Sequence, residues 1–479
     1  MRRSTRFLLL FLVCFAVVAI LTPAAARQVA AEESWRGVLE IGLEFFVTFT
    51  PAPGGGYTAT LDIPAQGLSE YPVTEVVYTA TEIAFTLPIA PPGGATWRAT
   101  RTAGAANATG ELQQGASTVT FTMELLEEGE DAAPSRPQTP RPPFPYSERP
   151  VSYVNEIDGT QRAGTLTIPD GPRPFPAVLL VSGSGAQNRD GELLGHKPFW
   201  VLADHLSRNG IAVLRVDDRG VGESGGDPEI ATTEDFAGDA IAGVRFLAEQ
   251  DGVRAAAVGI IGHSEGGVVA PIAASRSDDV AFIVLLAGSA LPGSELMVMQ
   301  LEAVQRSIGR PSDNIERQIV VQRRLLRLAG EGADLPALTD AVAELTRIQI
   351  STVPEDQRPS MEDLEPAIEA QAQQLRLPWW RFFISFDPRT ALRQVDVPVL
   401  ALNGSLDTQV PAEQNLGAIR QALAEAGNPD ATIEELEGLN HLFQTAETGG
   451  PAEYAAIEET FAPVALERIA NWINARFGA

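Results

Sequence analysis

The sequence has almost no cysteine and almost no lysine. Its one cysteine, Cys14, excludes a disulfide scaffold and a cysteine-based metal cluster. Its one lysine, Lys197, confines any Schiff-base or Ser–Lys chemistry to a single position. Histidine is scarce too: His196, His205, His263 and His441 are the whole supply. Few side chains can therefore act as a base near neutral pH. Basic residues are outnumbered, 35 against 62 acidic ones, for a formal charge of −27. Such a surface repels phosphate backbones and anionic lipid, which argues against a nucleic-acid partner or a membrane surface. Apolar residues are plentiful, 44 % of 479, enough for two domains with cores of their own.

The N-terminus reads as an address. Arg2, Arg3 and Arg6 precede an unbroken apolar run over 7–21, and Ala24-Ala25-Ala26 follows. A basic start, a short apolar stretch and an A-x-A pattern make a secretory signal peptide over residues 1–26. Val29-Ala30-Ala31 offers a second cleavage point, after Ala31 instead of Ala26. The apolar run is shorter than the roughly 20 residues that span a bilayer, which disfavours a retained anchor. Cys14 follows Val13 rather than a small residue, which disfavours lipid attachment. Removing the segment moves the charge from −27 to −30 and leaves no cysteine. The expected location is secreted or cell-envelope, with no stable membrane binding after cleavage.

Two domains are expected beyond it. Residues 35–126 carry short alternating runs at 38–50, 57–63, 73–79, 83–87 and 118–125, separated by Pro- and Gly-rich turns at 51–56, 91–94 and 104–110. Strands without intervening helices predict a small antiparallel barrel or sandwich. This domain has no histidine and no lysine, so it reads as structural or accessory. Residues 127–150 hold seven prolines and predict a semi-extended linker. From 151 to 479 apolar strands alternate with amphipathic helices, the pattern of an α/β domain with a mostly parallel sheet. The alternation stops over about 292–385, where charged helical segments predict a cap.

A nucleophile stands out once its context is weighed. G-x-S-x-G occurs at Gly262-His263-Ser264-Glu265-Gly266 and again at Gly222-Glu223-Ser224-Gly225-Gly226. The motif needs its serine on a tight strand-to-helix turn. Only Ser264 has a strand before it and a helix after it; Gly225-Gly226-Asp227-Pro228 ends any helix after Ser224. Pro271 is expected to loosen or kink the helix after Ser264. Gly220, Gly222 and Gly225 also spell a dinucleotide fingerprint, but no helix opens there and Asp217 and Asp218 would face a pyrophosphate.

A serine hydroxyl needs a positioned base. In the elbow arrangement the chain order runs serine, acid, histidine, and His441 alone lies after Ser264. Asp407 follows the apolar strand at 399–403 and precedes His441; its role is to orient the imidazole. Asp387 and Asp396 precede that strand, at the wrong end. His263 is expected to pack at the elbow. The oxyanion needs backbone donors: the amide of Glu265, after the nucleophile, and that of Ser184 or its neighbour Gly185.

Taken together, several segments resemble the serine-aminopeptidase-like branch of the α/β-hydrolase superfamily, in particular two-domain bacterial carboxylesterases with a β-rich N-terminal domain. They are Ser182-Gly183-Ser184-Gly185 through Arg189-Asp190-Gly191, Gly195-His196-Lys197-Pro198-Phe199, Asp217-Asp218-Arg219-Gly220-Val221-Gly222, Gly262-His263-Ser264-Glu265-Gly266-Gly267 and Pro378-Trp379-Trp380-Arg381-Phe382-Phe383. Asp407 and His441 complete them, and Leu61-Asp62-Ile63-Pro64-Ala65-Gln66-Gly67 resembles the family's N-terminal domain. The resemblance implies an ester hydrolase using Ser264, Asp407 and His441. Ala186 and Asn188 stand where the family pattern has Pro and Asp.

Trp379, Trp380 and Phe383 stand where the cap returns to the sheet and are candidates for lining a substrate pocket. Arg189, Lys197 and Arg381 read as structural ties. The expected substrate is a small-molecule ester, with no metal and no cofactor. The alternatives are an exported peptidase of the same superfamily, a non-catalytic protein that binds through its β domain, and, more remotely, a dinucleotide-binding oxidoreductase.

Overall fold

The computed structural model describes residues 32–478 apart from 41–42, 53, 64–67, 89–93, 116, 128–134 and 356–357. The expected signal peptide and the residues Pro64 to Gly67 lie outside the described residues. The chain divides into two units, one ending at Pro137 and the other beginning at Gln138, with Leu193–His196 grouped with the first.

The first unit is a meander of antiparallel strands. They are β1 (Glu33–Leu39), β2 (Glu44–Pro51), β3 (Tyr57–Ile63), β4 (Leu68–Pro72), β5 (Thr74–Tyr78), β6 (Glu82–Leu87), β7 (Ala95–Thr100), β8 (Asn107–Gln114) and β9 (Ser117–Leu125). β9 returns to pair with β1. β4 pairs with β3 and β5 with β6, and Val73 alone separates them. β4 and β5 thus act as one bent strand that closes an up-and-down barrel. Closure removes the unpaired edges that an open sheet exposes. Trp35, Phe45 and Phe49 are fully buried, and Phe85 stacks on Trp97 at 5.2 Å, so aromatic side chains fill the interior.

Three expectations fail here. The run 38–50 is two strands, because the chain turns after Leu39, whose N–H donates to Leu43 O. β7 and β8 lie outside the expected runs, and β8 has only Ala108 and Leu112 as apolar residues. Gly110, expected in a turn, lies inside β8, where a Cβ would stand 2.2 Å from Arg98 O. The glycine is there for close strand approach, not for a turn.

The second unit is built on β10 (Tyr146–Val154), β11 (Gln161–Pro169), β12 (Phe175–Val181), β13 (Ala212–Val216), β14 (Val253–His263), β15 (Ile283–Leu286), β16 (Val399–Gly404) and β17 (Ala431–Leu436). Their order is β10-β11-β13-β12-β14-β15-β16-β17. β10 and β11 are antiparallel; from β13 onward the strands are parallel. The expected linker is corrected here. Gln138 accepts from the amides of Thr460 and Phe461, and Tyr146 to Pro150 already belong to β10. Pro150 fits because β10 is an edge strand, where a missing N–H breaks no ladder.

Helices cover both faces. α1 (Pro198–Arg208) and α11 (Pro463–Phe477) pack against Val178, Leu180, Ile261 and Leu400. α2 (Thr233–Ala248) and α3 (Gly266–Ala274) pack against Leu179, Leu214, Ile260 and Val399. Strands buried on both faces read as continuous apolar runs, as these do. α11 begins at Pro463 rather than near 455, because proline is pre-set for the first helical turn. α3 runs through Pro271.

The cap is α4 (Gly293–Ser307), α5 (Ser312–Glu331), α6 (Leu335–Ile350), α7 (Met361–Gln374) and α8 (Pro378–Ser385), inserted between β15 and β16. It has its own core, including Leu325, Leu326, Val342 and Leu345. After the short α9 (Arg389–Leu392) come β16 and α10 (Ala412–Ala426), whose Leu416 and Ile419 join the core with α2 and α3. This strand order, with its helices on both faces and its cap, is the α/β-hydrolase fold.

β12 lies between β13 and β14 although it precedes both, so the winding reverses beside it. Ligands of such sheets sit at the carboxyl ends of the strands where the order reverses. That places the loops after β12 and β14 at the centre of interest. Gly262 at the end of β14 faces Gly266 O at 1.9 Å from where a Cβ would be. Gly262→Ala should therefore lower stability by about 3 kcal/mol, measured by urea unfolding. A variant as stable as the parent would show that the turn relaxes freely.

Candidate active site

The site starts from one strained residue. Ser264 leaves β14 with φ +55°, a region that side-chain-bearing residues seldom occupy. Its N–H donates to Leu286 O, and its carbonyl accepts from Gly267 N–H at 2.9 Å. Glu265 is already helical (φ −59°, ψ −35°), and α3 begins at once. The first amides of a helix have no partner within it, so the N–H of Glu265 is free to meet an anion.

His441 and Asp407 come to the same point. His441 Nε2 lies 3.1 Å from Ser264 Oγ, and His441 Nδ1 lies 2.9 Å from Asp407 Oδ2. A carboxylate only accepts, so Nδ1 carries the proton and the Nε2 lone pair faces the serine hydroxyl. Asp407 is held in turn. Its Oδ1 accepts from the amides of Gln409 and Val410, both at 2.8 Å, and its Oδ2 from Asn403 Nδ2 at 3.1 Å. The His441 loop is fixed from within: Asn440 Oδ1 accepts from the amides of Leu442 and Gln444. Asp407 and His441 are buried, 5 % and 3 % exposed.

The loop after β12 meets the elbow at Gly183, where a Cβ would lie 3.1 Å from Ser264 Cβ. Ser184 and Gly185 follow on the exposed rim. Two consecutive acids hold this loop. Asp218 accepts from Ser182 Oγ at 2.7 Å and from Gln187 N–H at 2.9 Å. Asp217 accepts from the amide of Arg189 at 2.8 Å and from its guanidinium at 2.6 Å. Burial pushes the Asp218 carboxyl up to about 7. Apart from the family resemblance, the sequence flagged these acids only as a poor fit to a nucleotide. The signal that could have found them is their place directly after β13, next to β12. Asn188, where the family pattern has Asp, still caps its turn: its Oδ1 accepts from the amides of Asp190 and Glu192.

The remaining candidates separate clearly. Ser224 is buried, accepts from Ala163 N–H and donates to Asp217 O, both backbone partners, so it is a structural tie. Arg189 pairs with Asp217, and the Lys197 ammonium lies over the Trp200 ring at 5.7 Å. Of the three aromatic candidates, Phe383 lines a cavity with Glu265, Thr233 and Leu291. Trp379 does not line that cavity; its indole N–H donates to Glu265 Oε1 at 2.7 Å. Trp380 packs on the cap's own core and stands edge-on to Phe383, one helical turn along α8, at 6.0 Å. Phe386, just past α8, lines the cavity and carried no motif in the sequence.

Residues 198–447, just over half of the chain, match the family model described as serine aminopeptidase, S33. The chain belongs to the serine aminopeptidase S33 family. Esterase EstD of Thermotoga maritima is 28 % identical over 314 residues, which cover 65 % of this chain and 65 % of EstD. Among solved structures, the Pyrococcus furiosus esterase PF2001 overlays with a TM-score of 0.44 at 14 % identity, covering 70 % of this chain and 92 % of its own. The α/β hydrolase GrgF of Penicillium sp. sh18 overlays with a TM-score of 0.43 at 19 % identity, covering 70 % of this chain and 100 % of its own.

The S33 family match spans Ser264, Asp407 and His441, and His263 beside them has a definite role in their geometry. Its Nε2–H donates to the carbonyl of His441 at 2.9 Å, tying the nucleophile strand to the histidine loop. Burial and the neighbouring His441 ring lower the His263 imidazole to about 4. The unfolded chain therefore takes up a proton there as pH falls from 6.5 to about 4, while the folded chain does not. That contribution to stability is complete above pH 6.5 and is lost through this window. His263→Gln keeps a donor but cannot titrate. Urea midpoints across the window should fall less steeply for it than for the parent; parallel curves would refute the assignment.

Proposed function

We propose that this protein is a serine hydrolase that cleaves carboxylic esters by two-step acyl transfer. The observation that carries the proposal is the relay Asp407–His441–Ser264, with links of 2.9 and 3.1 Å. Ser264 Oγ attacks the carbonyl carbon while His441 Nε2 takes its proton. The carbonyl oxygen becomes an oxyanion, held by the amide of Glu265 and by that of Ser184, with Gly185 as its neighbour. Collapse expels the alcohol, which takes the proton from His441, and leaves an acyl-serine. Water then gives a proton to His441 and its oxygen to the acyl carbon. The carboxylic acid departs as Ser264 Oγ recovers its proton. Asp407 remains ionised throughout and stabilises the imidazolium.

An ester is favoured over an amide because the relative EstD is named an esterase. The family description names an aminopeptidase, so amide cleavage is the second reading. A panel of chromogenic acyl esters beside aminoacyl and peptidyl amides separates the two. Ester turnover should dominate and should fall on the order of a million-fold in Ser264→Ala, with folding retained. Turnover of amides alone would defeat the ester reading.

The proposal includes export. Its support is the Arg2, Arg3, Arg6 and apolar 7–21 pattern ahead of Ala26. Expressed in full, the protein should appear outside the cytoplasm with a new N-terminus at Arg27 or Glu32, read by N-terminal sequencing. Full-length chain retained in the cytoplasm would refute it.

A further inference from the structure

The residue after the nucleophile carries a carboxyl that the acyl-transfer steps do not use. Glu265 is 5 % exposed. Its Oε1 accepts from Trp379 Nε1 in the cap and from Thr233 Oγ1 at the start of α2, each at 2.7 Å. Both donors are neutral. A buried acid that meets neutral donors instead of a cation is costly to charge. Burial accordingly pushes its carboxyl above the ordinary range, and it also faces Ser184. Asp218 is the other titratable group close enough to sense it.

Glu265 also forms one wall of a narrow cavity, beside Val268 and Leu291. The facing wall is phenylalanine: Phe382 and Phe383 from α8, and Phe386 just beyond. These rings are not independent of Trp379. Phe383 stacks on it at 4.9 Å with planes 9° apart, and Phe382 stacks on Phe386 at 4.7 Å. The Trp379 indole is thus a strut between the elbow and the aromatic wall.

We propose that the Glu265 carboxyl is a positioning residue for acyl-chain selection: by holding the Trp379 indole it keeps the cap phenylalanines over the cavity and restricts the site to short, uncharged acyl groups. This rests on the ester-hydrolase reading above. The cavity is walled by rings on the cap side and has no cation in its lining, so a long chain meets the rings and a carboxylate-bearing acyl group would lose its water without gaining a partner. Releasing the strut lets α8 swing and lengthens the chain the pocket accepts.

The test is the ratio of kcat/KM for p-nitrophenyl octanoate to that for the acetate. The parent should favour the acetate. Trp379→Phe and Glu265→Ala should each raise the ratio roughly ten-fold. Glu265→Gln retains an acceptor oxygen and should restore the parental ratio. The double variant Trp379→Phe/Glu265→Ala should raise it no further than either single change, because one contact is lost in both. Unchanged ratios, or two effects that add, would overturn the proposal. Should Glu265→Ala fail to fold, Trp379→Phe decides alone. Failure of the ester reading looks different: the parent would turn over neither ester, whatever the variants do.

Discussion

The backbone conformation of Ser264 is the constraint on which the site depends. A side-chain-bearing residue at φ +55° is strained, and it persists only where its surroundings over-determine it. Here they do. β15 takes the serine's amide, α3 starts one residue later, and glycines at 262, 266 and 267 let three backbone segments meet without side chains between them. The same turn brings the hydroxyl within reach of His441 and sets Glu265, in helical conformation, at the start of α3. Every other element of the site is a loop brought to this point by a neighbouring strand: β12 supplies Gly183 and Ser184, β16 supplies Asp407, and β17 leads to His441.

Those loops are fixed by a small stock of buried charge. In a chain so poor in lysine, arginine does nearly all of the pairing. Arg219 reaches both oxygens of Asp239 in α2, at 2.7 and 2.8 Å, and also meets Asp158 in the β10–β11 turn. Asp217 and Asp218, just before it, hold the oxyanion loop from Ser182 to Arg189. One short segment therefore ties the oxyanion loop to the helix layer and to the edge hairpin. Removing one member of such a buried pair leaves an uncompensated charge, which costs far more than the pair itself contributes. The glycines that follow are turn residues: Gly220 N–H donates to Gly225 O, closing a loop and not opening a helix. That is why a nucleotide-like spelling occurs here without a nucleotide site.

The relay of Ser264, Asp407 and His441 was legible in the sequence because scarcity did the sorting. With a single histidine beyond the nucleophile, order along the chain and position after a strand were enough. The sheet was legible for a related reason, since strands buried on both faces leave unbroken apolar runs. What was missed depends on contacts between distant residues. The partners of Asp218 are a serine and a backbone amide more than thirty positions away, and no local pattern encodes that. β8 was hidden by its polar outer face and by Gly110, whose meaning as a close-approach residue appears only once Arg98 lies opposite. Tyr146 to Pro150 looked like linker because proline argues against strands in general. On an edge strand the objection disappears. Trp380 was grouped with its neighbours by composition; it does touch Trp379 and Phe383, yet it packs on the cap core while Phe383 lines the cavity.

The acid beside the nucleophile poses an electrostatic question that its burial answers. A charged carboxylate at Glu265 would lie next to the amide proposed to hold the oxyanion, and like charges in a site sheltered from water repel strongly. An ionised group would therefore oppose the charge that must develop in the transition state. Burial beside Trp379, Thr233 and Val268 pushes the carboxyl above its ordinary range and so disfavours that charge, while its oxygen still accepts hydrogen bonds. The carboxyl thus joins cap to core in surroundings that disfavour a negative charge there. A glutamine could accept the same bonds. Its amide nitrogen would bring two hydrogens that need partners of their own, in a wall where phenylalanine, leucine and valine predominate and Thr233 and Ser289 are the hydroxyl-bearing members.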